Sequence, residues 1–312
     1  MKRLSFILII AVICSVMVSC NKEGRYNPKK KISQVSFCLS EKDEMWNGHE
    51  WVTTREYSNP EYVGQVWNWK GNQLESVDFY EADGQLMANY HFVYKNAKIT
   101  TIECNGGESR YEFVYKNGLL TTMEFYSGST CDFVYEYTYS KGKIQKIVFT
   151  PLSGKSAVTQ ELLPVGLLAG LPPLPDEDEK ALRDDKREYY FYWDGDNVEQ
   201  LAFRQGSYAA DYYFTYDKML NPLRGVKLDQ VASQLFYASF PLTMSKNNIS
   251  RCIVESNGGT DVYDHAYTYD GKYPVVMTWI STREYTVESV DAVMGDGRER
   301  MTIYTTRKYV YE

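Results

Sequence analysis

The stretch that decides the fold is Phe113-Val114-Tyr115-Lys116-Asn117-Gly118-Leu119-Leu120-Thr121-Thr122-Met123-Glu124-Phe125. Phe113 and Tyr115 alternate, which puts both rings on one face of an extended chain. Asn117-Gly118 supplies two residues able to take positive φ, as a two-residue hairpin turn of type I′ requires. Leu120, Met123 and Phe125 carry the apolar pattern back. The piece reads as one antiparallel hairpin.

The same frame recurs along the chain. Taking Tyr115 as the anchor, apolar residues stand two before it and five, eight and ten after it. Around Tyr94 the set is Phe92, Ile99, Ile102 and Cys104, and around Tyr139 it is Tyr137, Ile144, Ile147 and Phe149. Trp69 is flanked by Trp67, Leu74, Val77 and Phe79, and Trp193 by Phe191, Val198, Leu201 and Phe203. Two looser copies centre on Tyr216, leading to Asn221-Pro222-Leu223, and on Tyr269, leading to Pro274, Met277 and Trp279. The step from five to eight is odd, so those two positions cannot share a face of one regular strand unless a bulge intervenes or the first is only the start of the strand.

Seven copies predict on the order of fourteen strands, and open twisted sheets seldom exceed about ten without curling or closing. The expected fold is therefore all-β: an antiparallel meander of repeated β-hairpins forming a strongly curved sheet, a spiral or a closed barrel, with two long insertions. A membrane-spanning barrel is disfavoured, because many outward positions are Glu, Lys, Thr or Asn where lipid demands apolar side chains. The first insertion, residues 151–187, is dense in Pro and Gly and ends in the acidic run Asp176 to Glu179. It reads as a loop plugging one end of the sheet. The second, residues 221–264, contains a possible short helix at 227–237.

The chain of 312 residues carries a formal charge of -7, and 15% of it is aromatic. Residues 1–19 have Lys2 and Arg3 ahead of a short apolar run, the pattern of a cleaved signal peptide too short to stay as a membrane span. Val18-Ser19-Cys20 resembles a bacterial lipobox, in which the cysteine is acylated and becomes the first mature residue. Cys20 is the expected lipid-attachment site, with a tether and lead-in segment over residues 20–45 and the hairpin domain over residues 46–312. Removing Lys2 and Arg3 leaves a mature chain near -9, unsuited to nucleic acid, whose phosphates need Lys and Arg. Cys20-Asn21-Lys22-Glu23 resembles the short signal that sends lipoproteins of Bacteroidota to the outer surface of the outer membrane. Cys38, Cys104, Cys131 and Cys252 contain no C-x-x-C spacing, and Cys104 takes a frame position otherwise held by Phe, which predicts a buried thiol.

The repeat Phe-x-Tyr-x-x-Gly-x-Leu resembles the tyrosine-aspartate (YD) repeats of Rhs-type proteins, although Lys95 and Lys116 stand where Asp would follow the anchor. Together with Cys20, Tyr216-Asp217, Asn221-Pro222-Leu223, Lys246-Asn247-Asn248-Ile249 and Tyr267-Thr268-Tyr269-Asp270, it resembles an uncharacterised Bacteroidales lipoprotein family, a domain of unknown function. The resemblance implies a secreted, β-rich, lipid-anchored body and brings no catalytic residues with it.

Motifs of chemistry are few. His49, His91 and His265 form no H-E-x-x-H, and neither a G-x-S-x-G elbow nor a phosphate-binding loop occurs. His265 reads as a surface histidine on a strand end, and Asp194-Gly195-Asp196-Asn197 as a hairpin turn, since an EF-hand needs a late Glu that is missing. Neither a metal nor a cofactor is implied. Trp46 and Trp51 precede the repeats and are the candidate binding aromatics. The expectation is a non-enzymatic envelope lipoprotein, surface-exposed or periplasmic, that binds a glycan or an envelope protein. The alternative is a carbohydrate-active or other hydrolytic enzyme whose insertions form active-site loops.

Overall fold

The computed structural model describes residues 28–152, 186–224, 244–256, 259–286 and 298–312. The expected signal peptide, Cys20, the body of the first insertion and the expected helix at 227–237 lie outside the described residues. Seventeen strands follow one another: β1 (Ile32–Trp46), β2 (Trp51–Ser58), β3 (Tyr62–Lys70), β4 (Gln73–Tyr80), β5 (Leu86–Lys95), β6 (Lys98–Cys104), β7 (Ser109–Lys116), β8 (Leu119–Ser127) and β9 (Thr130–Ser140), then β10 (Lys143–Pro151), β11 (Arg187–Asp194), β12 (Asn197–Gln205), β13 (Tyr208–Leu220), β14 (Asn247–Ser256), β15 (Gly259–Asp270), β16 (Tyr273–Thr286) and β17 (Arg298–Tyr311).

From β3 to β17 each strand pairs antiparallel with the next. β17 then pairs with β1, whose second edge takes β3 at Gln34 to Phe37 and β2 at Ser40 to Trp46. Because β2 and β3 share one edge of β1, the seventeen strands occupy sixteen places in a closed barrel. Of the three shapes open to a meander of this length, closure is the one adopted.

The repeat frame has a physical origin. At the Tyr115 hairpin, Tyr115 pairs with Leu120 while Val114 pairs with Thr122, so Thr121 is an extra residue opposite the ladder. The same bulge leaves out Thr100, Gln145 and Glu199 in three other hairpins. A bulge shifts the phase of alternation by one, which is why the residues five and eight after the anchor both point inward. The anchors bind the hairpins to one another. Tyr115 Oη donates to the Ile99 carbonyl at 2.8 Å, Tyr94 Oη to Leu74 at 2.9 Å and Trp193 Nε1 to Ile144 at 2.8 Å. Each acceptor is the residue five after the preceding anchor. The series continues through Tyr216 to Val198; in the Tyr269 copy the donor is instead Tyr267, two before the anchor, to Ile249; Tyr311 to Pro274 and Trp69 to Ile32 complete it.

The last two bonds reveal a copy that no continuous stretch contains. Tyr311 pairs with Ile32 and Val310 with Gln34, leaving Ser33 as the bulged residue. Tyr309 and Tyr311 supply the first half of the frame, and Ile32, Val35 and Phe37 the second. Where the other copies have a turn, the Glu312 N–H donates to the Lys31 carbonyl at 2.9 Å. The segment expected as a lead-in, residues 20–45, thus contains strand β1, whose first half, Ile32 to Phe37, belongs to the barrel. The second insertion also ends earlier than expected: Ile249, Cys252 and Val254 on β14 are buried, and β14 and β15 occupy residues 247–256 and 259–270.

One face of the sheet is apolar and closed to water. Val77, Ile102, Met123, Ile147 and Phe149 are fully buried, each worth about 1.5–3 kcal/mol over exposure. The opposite face carries Glu112, Glu124, Lys146, Glu188, Arg204, Asp211, Arg251 and Asp264. Cross-strand ion pairs run along it, Lys146–Glu188 at 2.8 Å, Arg204–Asp211 at 3.0 Å and Arg251–Asp264 at 2.6 Å. Such solvent-screened pairs add little to stability, but their position is informative. Val77, Ile102 and Met123 have no exposed surface within the chain itself, so the apolar wall is the interior and the charged wall the outside, where lipid would cost about 2–4 kcal/mol for a charged side chain at the midplane. A sixteen-stranded porin has the reverse arrangement, an apolar outside around an aqueous channel. Cys104 is buried as expected, and Cys38, Cys104, Cys131 and Cys252 are all unbridged.

Candidate functional site

Two neighbouring features depart from the regular barrel, both where β1 exchanges one partner for another. The first is a ribbon beyond the barrel rim, made of the end of β1, all of β2, the start of β17 and the end of β16. Among the described residues β2 pairs with β1 alone, and every residue from Val52 to Ser58 is exposed.

Trp46 and Trp51, the two candidate aromatics, are brought together at the tip of this ribbon as a directly opposed cross-strand pair. Their ring centroids lie 5.5 Å apart, edge to face. Arg298 sits over Trp46 at 4.9 Å and Arg300 over Trp51 at 4.6 Å. Arg300 also binds Glu44 through two nitrogens, at 2.6 and 2.8 Å, and Lys42 reaches the other carboxylate oxygen at 2.7 Å. The Lys42 hydrogen bond and the Arg300 charge hold the Glu44 carboxyl below its ordinary range, against the opposing effect of burial. Glu44 is only 6% exposed, so the charge network is a fixed part of the ribbon. Sequence reasoning missed Arg298 and Arg300, whose partners lie more than 240 positions away.

The second feature is a pocket of ≈ 230 Å³ at the seam where β1 passes from β2 to β3. Phe37, Leu39, Tyr62 and Tyr80 give it apolar walls, and Arg307 and Thr305 of β17 bring polar groups to it. Gly64 is a bulged residue here, and a Cβ on it would lie 2.2 Å from the Phe37 ring, so only glycine lets β3 pass that ring. Arg307 is 6% exposed, its guanidinium 5.8 Å from the centroid of Phe37, and it hydrogen-bonds Tyr309.

His265 lies near this charge. It is not the surface residue expected, because it alternates in phase with Tyr263 and Tyr267 and stands four before the anchor Tyr269, the inward position that Tyr111 and Tyr189 hold in their copies. Its ring stacks on Tyr267 at 6.5 Å, and its Nδ1 is shut from solvent with no hydrogen-bond partner among the described residues. Burial, reinforced by the charge of Arg307 and opposed by Asp264, pushes its pKa down to about 4. Asp264 points the other way and pairs with Arg251 on the outer wall, so the two do not form an acid–base couple. His49 lies in the turn between β1 and β2 and His91 on the exposed face of β5, well apart in the topology. Asp194 to Asn197 form the expected turn between β11 and β12, with Asp196 facing Arg224 at 3.5 Å. Among the described residues no group of His, Cys, Asp and Glu is placed to hold a metal ion.

The molecule thus belongs to the class of closed antiparallel β-barrels with a packed apolar interior, extended at one rim by a ribbon. No family model and no curated protein matches the chain. Among solved structures it is similar to a porin-like protein from Bacteroides uniformis, with 11% identity, a TM-score of 0.47, and coverage of 93% of this chain and 100% of that one. A porin-like protein from Bacteroides vulgatus is similar at 13% identity and a TM-score of 0.46, with 91% of this chain and 99% of that chain covered. Likeness at these values carries no statement about activity.

Proposed function

We propose that the protein is a non-enzymatic binding module of the bacterial envelope, tethered through an acylated Cys20 on the outer membrane, that engages an envelope protein through its ribbon. The observation that carries this reading is β2: a strand beyond the rim, paired on one edge only among the described residues and exposed along its length. Such an edge accepts a further strand from a partner, with main-chain hydrogen bonds giving affinity. The aromatic pair favours a protein over a glycan. One face of each indole is covered by a guanidinium and the rings meet edge to face, which leaves little open ring surface for a sugar. The charged outer wall supports a barrel held beside the membrane by fatty acids, with stable anchoring from more than one chain.

The test is a photo-crosslinking amino acid at Thr54 in cells, with Thr122 on the far wall as control. The expected result is a discrete adduct with an envelope protein from position 54 alone. Absence of any adduct, with glycan-array binding by the fragment from residue 21 onward, overturns the reading. Replacement of Cys20 by Ala is expected to release the protein from the membrane fraction and abolish labelling by an alkyne fatty acid.

A further inference from the structure

We propose that the seam pocket binds a small monocarboxylate with an apolar body, its carboxylate on Arg307 and its body against Phe37, Leu39, Tyr62 and Tyr80. Nothing in this proposal depends on the ribbon or its partner.

Three observations converge. The first is size: ≈ 230 Å³ lies below the roughly 300 Å³ at which drug-sized pockets begin, which suits a single ring or a short acyl chain. The second is chemistry. The walls are ring and leucine surface, whereas Arg307, a buried residue, brings a guanidinium, and among the described residues no carboxylate lines the pocket. A planar guanidinium binds a carboxylate through two parallel N–H donors, which favours this anion over a spherical one. Thr305 stands beside it on the same strand, two residues away and on the same face, with Oγ1 buried and no hydrogen-bond partner among the described residues. A bound carboxylate oxygen is a natural acceptor for that hydroxyl.

The third observation is that the pocket is built into the fold. It exists because β1 changes partners at this point, because the Asn59 N–H closes β2 on the Leu39 carbonyl at 2.9 Å, and because Gly64 lets the Phe37 ring lie flat against β3. Tyr62 and Tyr80 also line a second hollow of ≈ 240 Å³ on the outer side, with Val63, Val66 and Glu81. Tyr62 and Tyr80 are thus shared by the pocket and this second hollow.

The experiment is titration calorimetry of the full chain with octanoate and phenylacetate, each against its neutral match, octanol and phenylethanol. At least one carboxylate is expected to bind, with its alcohol weaker by about tenfold or more, because a charge-assisted hydrogen bond is roughly twice as strong as a neutral one. Arg307→Gln is expected to abolish the preference for the acid. Leu39→Trp, which fills the pocket and leaves Arg307 in place, is expected to abolish binding of acid and alcohol alike, and guards against misfolding of the arginine variant. An independent readout is the NMR titration of His265, whose pKa should rise when a bound carboxylate offsets the nearby guanidinium. Equal binding of acid and alcohol, binding unchanged by Leu39→Trp, or no binding of either acid at millimolar concentration overturns the proposal.

Discussion

At the scale of single residues, the hairpin turns show what the chain tolerates. Asn117 and Gly118 both have positive φ, as the sequence of that turn predicts, and Lys141 with Gly142 follow the same pattern. Ala97 holds the glycine position of its own turn at φ 60, which an L side chain with a Cβ adopts only at a cost. Replacing Ala97 by Gly should therefore stabilise the protein by about 1 kcal/mol, read as a higher urea midpoint with unchanged slope. His265 gives a second prediction. Its folded pKa, about 4, is below the unfolded value, so the unfolded chain binds more protons in between. Stability must then fall as pH drops from about 6.5 toward 4, and His265→Phe should flatten that part of the curve. The sequence showed His265 beside an aspartate, and its inward side lay in the repeat frame, since it stands four before Tyr269 as the buried Tyr111 and Tyr189 stand before their own anchors.

At the scale of elements, the hairpins were legible because each packs the same side chains in the same register. Tyr115, Leu120 and Met123 revealed strand, bulge and return strand without any partner in view. The bond that each anchor donates to the preceding hairpin was not legible, since it joins residues in different copies. Tyr115→Phe removes one such donor, leaves the ring and deletes the hydrogen bond to the Ile99 carbonyl. A loss of about 1 kcal/mol is expected in urea unfolding. The second insertion was misplaced because Asn221-Pro222-Leu223 follow Tyr216 at the spacing of a return strand, whereas the strand that pairs with Tyr216 begins only at Asn247.

For the whole molecule, the eighth copy explains both the closure and why it was missed. Its halves sit at opposite ends of the chain, so a search for one continuous frame cannot find it. Because Glu312 already bonds Lys31, a short turn joining those residues should be tolerated. A circular permutant with that turn, opened at Gly128 between β8 and β9, is expected to fold with the same circular dichroism and near-equal stability. Truncation at Ile303 should abolish cooperative unfolding. The legible part of the binding region was Trp46 and Trp51; the pocket was hidden, because Phe37, Gly64 and Arg307 meet only when the ends of the chain meet.

The split copy also sets an order of events in time. During synthesis β1 emerges first, yet one of its edges has no partner until β17, made last, arrives. Contacts between positions so distant are slow to form, and an apolar strand left waiting invites association with its neighbours. The nascent polypeptide therefore has reason to stay in the care of a chaperone until β17 appears, and a ribosome that stalls before it would release a species prone to clump.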